Sequence, residues 1–125
     1  MPKPVSTRIV AVVDDDQSCR AALERLLRSG GFAVQSFASA EDFLMSGKQH
    51  ETGCLIADIR MPGMSGLDLQ VELSANRCPI PTIFISAHGD EKIRLRAMRG
   101  GAVKFLAKPF DGEILLDSVR SALKP

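Results

Sequence analysis

Apolar residues along this chain fall into two alternating patterns: short continuous runs, and longer runs with a helical period. Ile9-Val10-Ala11-Val12-Val13 is continuously apolar and rich in β-branched residues, as in a strand covered on both faces. Three acids follow, Asp14-Asp15-Asp16, and then Cys19, Ala22, Leu23, Leu26 and Leu27, spaced to share one face of a helix that Gly30-Gly31 closes. Phe32 to Phe37 predicts a second strand, interrupted by Gln35 and Ser36 and so placed at a sheet edge. Ser39 caps a short helix, with Asp42 three residues on and Phe43 and Leu44 as its buried pair. After a polar, loop-like stretch from Gly47 to Gly53, the run Cys54-Leu55-Ile56-Ala57 predicts a buried third strand that delivers Asp58 to the mouth of a Pro- and Gly-containing loop.

The pattern repeats beyond that loop. Ser65 starts a third helix, with Asp68 three residues later and a weak period in Leu67, Leu69, Val71 and Leu73; Pro79 and Pro81 end it. Thr82-Ile83-Phe84-Ile85 is the fourth strand, running into Ser86-Ala87-His88-Gly89-Asp90. A fourth helix, from about Asp90 to Arg99, sets Lys92, Arg94, Arg96 and Arg99 against Ile93, Leu95, Ala97 and Met98, and stops at Gly100-Gly101. The fifth strand, Ala102 to Ala107, ends at Lys108-Pro109, and Asp111 caps a last helix with Leu115, Val119, Ala122 and Leu123 on one face. Such alternation predicts an α/β fold with a parallel sheet, helices on both faces and right-handed crossovers. The first, third and fourth strands are the most uniformly apolar and belong inside. The expected order is therefore 2-1-3-4-5, a flavodoxin-like doubly wound sheet whose switch point lies between the first and third strands.

Composition narrows the function. Sixteen basic and 15 acidic residues leave a net charge of +1, which argues against nucleic-acid binding by bulk electrostatics, and with no Trp or Tyr the stacking platforms for single strands are thin. Cys19, Cys54 and Cys78 have no C-x-x-C spacing and read as small buried hydrophobes in a reducing compartment. No apolar run approaches the roughly 18 residues of a membrane span, and Met1-Pro2-Lys3-Pro4 does not begin a secretory signal, so a cytoplasmic location is expected.

Each chemically notable polar residue stands at the carboxyl end of a strand: Asp14, Asp15 and Asp16 after the first, Asp58 after the third, Ser86 after the fourth, Lys108 after the fifth. Parallel packing brings these ends to one rim. Asp14, Asp15 and Asp58 then crowd together, and their repulsion calls for a cation. A hard divalent ion such as Mg²⁺ would relieve it and leave positions open for phosphate oxygens. Lys108 supplies a compact positive charge, and the Ser86 hydroxyl can donate to a further phosphate oxygen. A carboxylate nucleophile, a metal and a cation around one pocket are the parts phosphoryl transfer needs.

Asp14-Asp15, Asp58 with Met61-Pro62-Gly63-Met64-Ser65-Gly66, Ser86-Ala87 and Lys108-Pro109 together resemble the receiver domain of bacterial two-component response regulators, with its CheY-like fold. The wording Asp58-Ile59-Arg60-Met61-Pro62, His88-Gly89-Asp90 and Phe105-Leu106-Ala107-Lys108-Pro109-Phe110 is most similar to FixJ-like receivers, which commonly precede a LuxR-type DNA-binding domain. The resemblance implies that Asp58 accepts a phosphoryl group from the phosphohistidine of a sensor histidine kinase. Asp15, Asp58 and the Arg60 backbone carbonyl would hold Mg²⁺ or Mn²⁺, with Asp14 contributing through water. Lys108 would pair with the phosphoryl group, and its bond to Pro109 would be cis. Ser86 and Phe105 would act as the switch pair, altering the surface of the fourth helix, fifth strand and fifth helix, through which family members form homodimers. Residues 1–125 are expected to be a single receiver domain, with any contact to DNA made through an effector domain absent from this chain.

Plainer readings stand beside these. Asp58 alone could be a turn carboxylate, Asp16 a helix cap, Ser86 a loop hydroxyl, Phe105 a core aromatic and the basic fourth helix a solvated face. His88 reads as a loop residue near the pocket mouth. Two other functions compete: an interaction module that works without phosphate, and a phosphatase using an aspartyl-phosphate intermediate. The phosphatases usually carry a second Asp two residues after the nucleophile, where this chain has Arg60.

Overall fold

The computed structural model describes residues 8–87 and 91–124. His88, Asp90, the Met1-Pro2-Lys3-Pro4 start and Pro125 lie outside them. Among the described residues, β1 (Ile9–Val13), β2 (Val34–Phe37), β3 (Thr52–Asp58), β4 (Thr82–Ser86) and β5 (Lys104–Ala107) form a parallel sheet in the order β2-β1-β3-β4-β5. The helices between and after them are α1 (Gln17–Ser29), α2 (Ala40–Met45), α3 (Gly66–Ala75), α4 (Glu91–Arg99) and α5 (Gly112–Leu123). The predicted order and edge placement of the second strand both hold.

Alternation along each strand divides the core in two. Ala11, Val13, Leu55, Ala57 and Phe84 face α2, α3 and α4, packing with Phe43, Leu67, Leu69, Leu73 and Ala97. Val10, Val12, Cys54, Ile56, Ile83 and Ile85 face α1 and α5, against Leu23, Leu27, Leu115, Leu116 and Val119. Fully burying a Leu such as Leu27 or Leu115 stabilises the fold by about 1.5–3 kcal/mol. Ala22, expected on the buried face of α1, is exposed, and Leu44 of α2 is only half-buried.

Several boundaries shift for identifiable reasons. β2 begins at Val34 instead of Phe32 because Phe32 N–H still closes α1, donating to Leu27 O at 3.2 Å, and Gly31 adopts a left-handed φ of 89°. The polar stretch before β3 holds a 3-10 turn, Lys48–Glu51, and the strand starts at Thr52, whose buried hydroxyl donates to Lys48 O at 2.8 Å. α3 is not ended by Pro79 and Pro81. It stops at Ala75, where Asn76 caps it and Arg77 turns into the left-handed region at φ 55°, with Cys78 N–H on Leu73 O at 2.9 Å. β5 begins at Lys104 because Ala102 N–H is retained by the end of α4, on Ala97 O at 3.1 Å. No described helix is long and apolar enough to cross a membrane.

Candidate functional site

Four strand ends meet at one rim. Val13 pairs with Ala57 and Asp58 with Ile85, so Asp14 and Asp58 emerge side by side from β1 and β3. Ser86 pairs with Ala107, and Lys108 N–H donates to Ser86 O at 2.9 Å, which aims the residue after β5 back toward the acids. The Lys108-Pro109 bond is cis.

Asp14 is 2 % exposed. Its Oδ1 accepts Asp16 N–H at 2.9 Å, and its backbone carbonyl accepts the Arg20 guanidinium at 2.7 Å. The Lys108 ammonium lies 3.3 Å from Asp14 Oδ2 and 3.2 Å from Asp58 Oδ2, bridging the two carboxylates. Arg60 N–H donates to Asp58 Oδ1 at 3.3 Å, so both Asp58 oxygens are held. Burial dominates at Asp58 and raises its pKa; the neighbouring Asp14 charge pushes the same way, and Lys108 opposes both. At Lys108 burial pulls the pKa down, but the attraction of Asp14 and Asp58 outweighs it and holds the ammonium above its ordinary range.

Asp15 is exposed, yet one oxygen from each of Asp14, Asp15 and Asp58 lies within 4.8 Å of the others, so the three can hold a metal ion together. Asp16 is turned to the start of α1, its Oδ1 accepting Ser18 N–H at 2.9 Å and Cys19 N–H at 3.2 Å, as a cap. Ser86 is buried at the end of β4. Phe105 is half-buried in β5, opposite Phe84 and packed on the α2–α4 side of the core, away from the carboxylates in the chain but on the element that leads to Lys108.

Sequence reasoning missed three contributors. Arg20 carried no signal beyond its place in α1. Cys19 is only half-buried and stands beside Asp14 and Lys108; burial first, and then the Asp14 carboxylate, push its thiol up to about 11. Gly66 was visible in the loop motif without its reason. A Cβ there would stand 2.3 Å from the Asp58 carbonyl oxygen, so only glycine lets α3 begin against the end of β3. Ser65 and Asp68 then form a full capping box, each side chain accepting the other's N–H at 3.1 Å.

A doubly wound sheet with acids after its first and third strands and a lysine after its fifth defines a class, the receiver domain of two-component signalling. Residues 10–120 match the response regulator receiver domain family, and the chain belongs to it. Its relatives are FixJ-like. It is 51% identical over 114 residues to nodulation protein W of Bradyrhizobium diazoefficiens, covering 91% of this chain and 50% of that protein. It is 43% identical over 114 residues to the transcriptional regulatory protein FixJ of Azorhizobium caulinodans, covering 91% and 54%. Among solved structures, the response regulator StyR superposes with a TM-score of 0.87 at 49% identity over 94% of this chain and 59% of that one. FixJ-N gives 0.85 at 36% over 98% and 95%. The chain spans about half the length of the curated relatives it matches.

Proposed function

We propose that Asp58 is the phosphoacceptor of a signalling switch, taking a phosphoryl group from the phosphohistidine of a sensor histidine kinase. The observation that carries this reading is the Lys108 ammonium bridging Asp14 and Asp58 at 3.3 and 3.2 Å. A carboxylate oxygen of Asp58 attacks phosphorus as the bond to the donor imidazole breaks, forming an acyl phosphate. Lys108, already at hydrogen-bond distance, shifts from the carboxylate to the new phosphoryl oxygens and balances their charge. The Ser86 hydroxyl is the next donor toward that group.

The donor set fits a hard cation, since every candidate ligand is oxygen and Asp14, Asp15 and Asp58 converge. These carboxylates and the Arg60 backbone carbonyl would hold Mg²⁺ or Mn²⁺. When bound, the ion neutralises the acids so that an anionic donor can approach.

Phosphorylation then biases Ser86 and Phe105, and with them the surface of α4, β5 and α5. That surface exposes Leu95, Met98, Val103 and Ile114, apolar residues suited to a homodimer formed on phosphorylation. The output is transcription, through a DNA-binding domain outside the segment described, in the cytoplasm. The chain catalyses its own phosphorylation and slow dephosphorylation and does not turn over external phosphoesters. Arg60 stands where an aspartyl-phosphate phosphatase has its second acid.

Intact mass after incubation with acetyl phosphate tests the reading. One phosphoryl adduct that needs Mg²⁺, is cleaved by hydroxylamine and is absent from Asp58→Asn is expected. No adduct under any condition would leave an interaction module that works without phosphate.

A further inference from the structure

The loop after Asp58 is held by three carboxylates from three different elements. Asp58 Oδ1 takes Arg60 N–H at 3.3 Å, Asp68 Oδ2 takes Ser65 N–H at 3.1 Å, and Glu41 Oε2, from the first turn of α2, takes Met64 N–H at 3.1 Å. The first two are local in sequence. The third spans 23 residues and joins two separate elements.

Glu41 is exposed at the surface, but the helix that carries it is anchored. Its neighbours Ala40 and Phe43 are fully buried, and Phe43 packs edge-on against Phe37 with ring centroids 5.3 Å apart. The loop is shaped to receive it. Gly63 adopts φ 76°, and a Cβ on Gly63 would stand 2.5 Å from Glu41 Oε2. On the other side of the loop, Met61 is buried and Gly66 N–H donates to Ile59 O at 3.0 Å. Within residues 60–64, Met61 is thus buried in the core and Met64 is tied to α2, while Arg60, Pro62 and Gly63 are exposed.

We infer that Glu41 is a positioning residue for the metal site, fixing the 60–64 loop so that the Arg60 carbonyl is presented beside Asp14, Asp15 and Asp58. It touches neither the metal nor the phosphoryl group. This inference rests on the phosphoacceptor and metal reading given above. Its sharpest consequence is a split: losing the Met64 hydrogen bond weakens metal binding while leaving the rate at saturating metal intact, because the nucleophile and Lys108 are unaffected.

The test is a titration with Mn²⁺, free ion being counted by its electron paramagnetic resonance signal, on the unsubstituted chain and on Glu41→Ala, Glu41→Gln and Gly63→Ala. Glu41→Ala should raise the Mn²⁺ Kd about two- to tenfold, the range of one hydrogen bond. Glu41→Gln keeps an acceptor oxygen without the charge and should stay within about twofold of the unsubstituted chain. Gly63→Ala disturbs the same contact from the loop side and should follow Glu41→Ala. In acetyl phosphate reactions the half-saturating Mg²⁺ should rise in parallel while the rate at saturating Mg²⁺ is unchanged. An unchanged Kd in Glu41→Ala overturns the inference, and so does a Gln variant as weak as Ala, which would make the effect one of charge. Failure of the unsubstituted chain to bind Mn²⁺ overturns the metal reading and the role of Glu41 together. Binding and Asp58 labelling that persist with no difference among the variants overturn the role of Glu41 alone.

Discussion

Asp58 is held against its own ionisation. Burial raises its pKa, the Asp14 charge adds to that, and the attraction of Lys108 does not cancel it. An aspartate whose folded-state pKa is raised binds its proton more tightly folded than unfolded, so its ionisation favours unfolding. The penalty is present where the folded carboxyl is ionised and fades as pH falls through the raised folded value to below the ordinary aspartate pKa of about 4. In EDTA at pH 7, Asp58→Asn should therefore raise the thermal midpoint by a few degrees, and the difference should close below about pH 4. A lower midpoint for the variant, or a gap independent of pH, would contradict this balance. The same residue explains what the sequence could reveal of the site. The rim positions of Asp14, Asp15, Asp58, Ser86 and Lys108 were legible because a parallel sheet must bring strand ends together. Arg20 and Glu41 were not, since their partners are backbone groups that acquire a position only when the fold exists.

At the scale of elements, the junction between β3 and α3 packs directly against the backbone of Asp58. The helix starts against the last carbonyl of the strand, where Gly66 leaves no room for a side chain: a Cβ would meet Asp58 O at 2.3 Å and Phe84 Cε1 at 3.1 Å. Backbone on one side and a buried ring on the other cannot yield cheaply. Gly66→Ala should cost about 1–3 kcal/mol in chemical denaturation and slow phosphorylation of Asp58. A variant as stable and as fast as the unsubstituted chain would show that the junction is looser than this packing implies. Strand and helix existence was readable from periodicity throughout, because runs such as Ile9–Val13 have one consistent interpretation. Boundaries were less readable. Pro79 and Pro81 are the sequence's stop signals for α3, but a left-handed Arg77 ends it, and no residue-type signal marks an arginine for that conformation.

For the whole molecule, two half-cores on opposite faces of one sheet hold the rim, where Asp14, Asp58, Ser86 and Lys108 follow the strand ends. The α1 and α5 side fixes Asp14 through Arg20 and the cap at Asp16, while the α2–α4 side carries the loop, Phe105 and the exposed apolar patch of Leu95, Met98 and Val103. Under the proposed switch, a charge added at the rim would be read on the α4–β5–α5 surface. The most direct test is to find where the phosphoryl group goes. The chain is phosphorylated with acetyl phosphate and Mg²⁺, the acyl phosphate is reduced with borohydride, and peptide sequencing by mass spectrometry then locates the product. The account predicts homoserine at position 58 and nowhere else, lost when Mg²⁺ is withheld. Reduction at Asp14 or Asp15, or label spread over surface carboxylates, would contradict it.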